Sequence, residues 1–154
     1  MVALAIAAIM MFFALPAFND FTAQRRVAAN VNYVISAINY ARNEAARRGV
    51  NVSMQAVDAD DDANEWGPGF CVTENPGDCD NPIQLFQAEA NVTINGMGTL
   101  NADETLTFNP RGMFTGGAAG TIEVCGQDAD EDPGRIVRIS AIGRASVGEL
   151  VCFP

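Results

Sequence analysis

The 154-residue chain has no histidine and no lysine; all nine of its basic residues are arginine. The commonest general base and the usual Schiff-base nucleophile are therefore missing, which argues against an enzyme. The cysteines are few, Cys71, Cys79, Cys125 and Cys152, and no two form a Cys-x-x-Cys pair. Without that spacing and without histidine, a zinc site is not expected. Carboxylate pairs remain as acid/base candidates among 19 acidic residues, but most of these lie in Pro/Gly/Asn-rich turns, where solvent keeps their pKa values ordinary. The glycines of 113–120 are followed by the strand-like 121–125 rather than by Lys-Ser/Thr or a helix start, so they are not a phosphate loop.

Charge is absent from residues 1–18, whose run of Val2, Leu4, Ile6, Ile9, Phe12, Phe13, Leu15 and Phe18 is interrupted only by Pro16. At about 1.5 Å of rise per residue this run is at the lower length limit for crossing a bilayer of about 30 Å, so it reads as a membrane segment or as the buried core of a helical assembly. A secretory signal peptide would need a basic region before it and a small-x-small cleavage site after it, and neither is there. Instead the pattern turns amphipathic: Val27, Val31, Val34, Ile35, Ile38, Ala41 and Ala45 recur at spacings of three and four. Arg47, Arg48 and Gly49 then supply a helix stop. The spacing predicts one helix from residue 1 to about 48, kinked or locally melted at Pro16. Its half 27–49 packs on the head through Val27, Val31, Val34, Ile35 and Ile38.

About 100 residues follow Gly49, enough for one modest core. The division expected is a hydrophobic helix half, 1–26, and a globular head, 27–154, made of the amphipathic half 27–49 and a β region 50–154. Short alternating stretches at 51–57, 69–73, 83–88, 91–95, 105–108, 121–125 and 135–140 read as strands. Turns fall at 75–78, 96–98 and 101–103, and a last hairpin opens at Gly143-Arg144 and ends in a strand at 150–153. The fold class is α+β, a long helix packed on an antiparallel sheet.

An even cysteine count beside a membrane segment points to two disulfides and an oxidising compartment. Of three pairings, Cys71 with Cys79 closes a short loop and Cys125 with Cys152 ties two strands. Acidic runs at 58–65 and 128–134 do not fit the EF-hand template, which leaves calcium in an irregular loop as the alternative to solvated turns. No other cofactor is expected. The head after Gly49 carries 17 acids against four arginines, a solubility surface.

Several motifs occur in order: Ala41-Arg42-Asn43-Glu44-Ala45-Ala46-Arg47-Arg48-Gly49, Trp66-Gly67-Pro68-Gly69-Phe70, Phe108-Asn109-Pro110-Arg111-Gly112, and Gly143-Arg144 ahead of Cys152. Together with the apolar N-terminal helix they resemble type IV pilins and type II secretion pseudopilins, and within them the GspH/FimT/FimU minor group. The resemblance implies a structural subunit of a pilus-like filament or pseudopilus, most naturally a minor or tip component, with a major subunit as one alternative. It implies other pilin-like subunits as partners, and a single-pass inner-membrane stage with the head outside the cytoplasm before a periplasmic or extracellular filament. The Phe-Thr-Leu-x-Glu-Leu start of such pilins is absent, and Met1 would follow directly on it; the expectation is a misplaced start or a trimmed chain. A lost basic leader would also explain why Arg25 and Arg26, taken alone, would place the head in the cytoplasm. FimT-like relatives are tied to DNA uptake, which makes Arg135, Arg138 and Arg144 the candidate DNA contacts. With so acidic a head, no nucleic acid partner is expected.

Overall fold

The computed structural model describes residues 2–57, 64–88, 91–97, 100, 105–115, 120–127 and 133–152, the side chains of 2–17 and 133 excepted. A single helix, α1 (Val2–Arg48), leads the chain. It passes unbroken through Pro16, so no turn is melted there. A proline removes one backbone hydrogen bond, but its fixed φ is itself helical, and a helix this long keeps the flanking turns. α1 stops at Gly49, whose N–H still donates to the Ala45 carbonyl at 3.0 Å and whose φ of 71° then turns the chain out of the helix.

Ala23, Val27, Val31, Val34, Ala37, Ile38, Ala41 and Ala45 are buried along one face of α1. Ile35 departs from the expected set, being only half-buried at the margin of the core. It lies about 100° round the helix from Val34, at the edge of the stripe, whereas Ala37 lies within it. Small residues at 37, 41 and 45 let the helix sit close to the strands.

The expected antiparallel sheet is in fact two. Eight strands follow among the described residues: β1 (Val52–Ala56), β2 (Phe70–Thr73), β3 (Gln84–Phe86), β4 (Val92–Met97), β5 (Leu106–Phe108), β6 (Gly120–Gly126), β7 (Pro133–Ile139) and β8 (Ala145–Val151). They form antiparallel sheets in the orders β3-β2-β1-β5 and β4-β6-β7-β8. α1 packs chiefly across β7, β6 and β1. Val34 and Ile38 thereby share one core with Met54, Phe108, Ile122, Val137 and Ile139. The burial of each large aliphatic side chain contributes about 1.5–3 kcal/mol. Period-two alternation is clean in β6, where Ile122 and Val124 are buried and Thr121 and Glu123 are half-exposed.

Two boundaries differ from the sequence expectation. Gly96, expected in a turn, lies inside β4 and pairs with Ile122. A Cβ there would collide with the Leu100 carbonyl oxygen and meet the Trp66 indole nitrogen at 3.0 Å, so the glycine marks a close approach rather than a bend. The last strand starts at Ala145 instead of 150, because Gly143 (φ 75°) closes a tight turn and pairing resumes at once. The acidic segments 58–63 and 128–132 lie outside the described residues.

Candidate assembly site

Three of the sequence motifs, distant along the chain, meet at the C-terminal half of α1. Arg42, on the flank of the apolar stripe, donates from Nε to the Gly112 carbonyl at 3.0 Å. Gly112 closes the turn begun by Asn109, whose side-chain oxygen accepts the Arg111 and Met113 N–H groups at 2.9 and 3.1 Å. Gly143 packs on the same spot: a Cβ at that position would strike the Gly112 carbonyl oxygen and come within 2.9 Å of Arg42 Nε. The helix, the turn after β5 and the β7–β8 turn are thus joined at one guanidinium. Sequence reasoning missed this role of Arg42. A charged group beside Ala41 on the head-facing half was its only signal.

Two residues further along, Glu44 is almost fully buried and satisfied. Arg47 grips both of its oxygens at 3.1 and 2.7 Å, and Arg48 Nε donates to it at 2.7 Å. Arg48 also reaches Glu74, just beyond β2, at 2.5 Å. Hydrogen bonds from Arg47 and then from Arg48 hold the Glu44 carboxyl below its ordinary value of 4.5. The Trp66 motif sits at the opposite side of the core, where Trp66 tilts against Phe70, Phe70 stacks on Phe86 at 5.5 Å, and Tyr40 of α1 meets Phe86 edge-on.

Cys71 is bonded to Cys79 and Cys125 to Cys152. The first bridge closes the 75–78 turn, which Gln55 also holds by accepting the Gly77 N–H at 2.7 Å. The second spans β7, joining β6 to the end of β8.

At the other end of the head the helix face opens. Ala23 is buried, whereas Phe18 and Phe21 are 63% and 53% exposed, with the Arg25 guanidinium 4.9 Å from the Phe21 ring centre. Val2, Leu4, Ile6, Ile9, Phe12, Phe13, Leu15 and Pro16 lie where side chains are not described. Among the described residues no helix is long and apolar enough to cross a membrane.

The candidate DNA-contact arginines do not gather on one surface. Alternation along β7 puts Arg135 on the helix side with Val137 and Ile139, where it donates to the Gly134 carbonyl. Arg138 faces the opposite way, and Arg144, paired with Ser140 beyond it, shares that outer face. Among the described residues no group of three or more metal-binding side chains comes together. The loops weighed for calcium are, for the most part, outside them.

The model of the family described as Type II transport protein GspH matches residues 30–143, from the middle of α1 to the glycine of the β7–β8 turn. The chain belongs to the GspH family. Its fold is similar to the crystal structure of the type IV minor pilin FimU from Pseudomonas aeruginosa, with a TM-score of 0.66 and 25% identity over 83% of this chain and 92% of that one. A second crystal form of FimU matches with a TM-score of 0.63, at 24% identity over 79% and 91%. Comparison with curated proteins finds no match. The matched span of the GspH family contains the motif residues that Arg42 joins.

Proposed function

We propose that this GspH-family chain is a minor structural subunit of a type IV pilus-like filament or a type II secretion pseudopilus. The observation that carries the reading is the helix: Ala23 and the apolar residues after it are buried on the head, Phe18 and Phe21 are exposed, and the sequence ahead of them is apolar. The apolar part of α1, residues 2–18, amounts to about 25 Å of helix. An apolar rod of that length needs lipid or other apolar helices around it, and burial is worth about 25 cal/mol per Å². The bilayer serves before assembly and neighbouring subunit helices serve in the filament, with the acidic head outside the cytoplasm. The chain acts by assembly rather than by catalysis.

The test is incorporation. Expressed with its companion subunits, the full chain should appear in sheared filaments in fewer copies than the major subunit. Phe12→Asp with Phe13→Asp should remove it from filaments while the head still melts as the wild type does. Filaments that retain the doubly charged variant at wild-type levels would overturn the reading, and copy numbers equal to the main subunit would make it a major one.

A further inference from the structure

Each sheet has two edges, and a long bare edge invites pairing by another strand unless something covers it. At β4, Trp66 N–H donates to the Ile94 carbonyl at 3.1 Å and the Asn64 side chain accepts Ile94 N–H at 2.9 Å. At β5, Phe114 bridges to Phe108 and the Thr115 N–H donates to the Thr107 carbonyl at 2.9 Å. The β3 edge is only three residues long. β8 is different: seven residues, paired with β7 on one side, and open on the other among the described residues.

The register says which groups are free. Ser140 N–H donates to the Arg144 carbonyl at 3.0 Å, so the hydrogen-bonded pairs fall at 138/146 and 136/148, and the N–H and C=O groups of Ala145, Val147, Glu149 and Val151 point away from β7. Val147 and Val151 are 49% and 66% exposed and flank Glu149, which lies across from Arg135, so two apolar side chains border the free edge on that face. Proline and lysine, which blunt natural edges, do not occur in the strand.

Charge distinguishes this edge from the rest of the head. Residues 133–151 hold three arginines and one acid, whereas 50–132 hold one arginine and 16 acids. Arg138 is exposed, and a Cβ on Gly148 would meet its Nη1 at 2.6 Å, so its guanidinium lies over the bare backbone of β8 toward the edge. Arg144 shares that face.

We propose that β8 is a docking edge that accepts an extended, acidic segment of a neighbouring subunit as a fifth strand of its sheet. Main-chain hydrogen bonds supply the attachment; Arg138 and Arg144 select carboxylates on one face, and Val147 and Val151 select apolar residues on the other. A duplex DNA partner fits less well, since Arg135 is on the far face and edge amides have no duplex counterpart. The proposal rests on the filament-subunit reading for the source of the segment. Peptide binding and filament incorporation are measured separately, so failure of one is not failure of the other.

The experiment is hydrogen exchange on the full chain in detergent micelles, with a short peptide alternating glutamate and valine as probe. The amides of Val147, Glu149 and Val151 should slow by about tenfold or more, and a lysine–valine peptide or a DNA duplex should leave them unchanged. Val147→Pro removes an outward N–H without breaking a bond to β7, and should abolish the slowing. Arg138→Gln, which leaves the backbone untouched, should weaken it and reduce its salt sensitivity. No slowing with the acidic peptide, equal slowing with the basic one, protection by DNA alone, or an Arg138→Gln protein that binds as the wild type does would each overturn the proposal.

Discussion

Arg42 and Gly112, 70 residues apart in sequence, are joined by a 3.0 Å hydrogen bond from Nε to the backbone carbonyl, and Gly143 leaves the space that bond requires. Removing the donor leaves a part-buried carbonyl unpaired. Arg42→Ala should cost about 1–3 kcal/mol. Gly143→Ala should cost a similar amount, about 1–3 kcal/mol, because its φ of 75° strains any L side chain and the Cβ would press on Gly112. Urea unfolding of the two single variants and the double variant checks this. Additive losses would show that the two residues do not share one contact.

Val34 and Ile35 are adjacent in sequence but differ in burial, and charge should read that difference. Val34 is fully buried, so Val34→Asp places an unpaired carboxylate in the core and should unfold the head. Ile35→Asp at the core margin should lower the melting temperature and leave a folded protein. Thermal scans that rank the two variants equally would refute the assignment.

The disulfides should contribute unequally. Cys125–Cys152 closes a loop with a separation of 27 residues and Cys71–Cys79 one of eight, which in the chain-entropy account correspond to about 3.5 and about 2.5 kcal/mol. Paired Cys→Ser substitutions, compared by denaturant midpoint, should show the larger loss for the 125–152 pair. Peptide mapping under non-reducing conditions should find these two pairings.

Glu44 should make the head acid-sensitive. Its folded-state carboxyl is held below the ordinary value of 4.5 by Arg47 and Arg48. The stabilisation is therefore fully present well above pH 4.5 and is lost as the pH falls through 4.5 toward the lowered folded value. Glu44→Gln should weaken the head at neutral pH and flatten that part of the stability profile. A variant that keeps the wild-type slope below pH 4.5 would assign the sensitivity to other carboxyls.

Legibility in the sequence follows the range of the interactions. The amphipathic half of the helix is readable because Val27, Val31, Val34, Ile38, Ala41 and Ala45 repeat at the helical period, and a local period reports local burial; the first half is readable from its uninterrupted apolar run. Strand positions were readable for the same reason in 121–125 and 105–108, and the missing histidine and lysine limited the chemistry before any fold was known. Contacts between distant segments leave no such period. The motifs at Arg42, Gly112 and Gly143 could be matched to a family by their order, but only the packed structure makes them one contact. Gly96 looked like a turn because a glycine's need for room is invisible until the Leu100 carbonyl lies against it. The division of Arg135 from Arg138 and Arg144, and the open edge at β8, depend on strand register. The one-residue pleat fixes which face each side chain takes, and tertiary pairing fixes which edge stays bare.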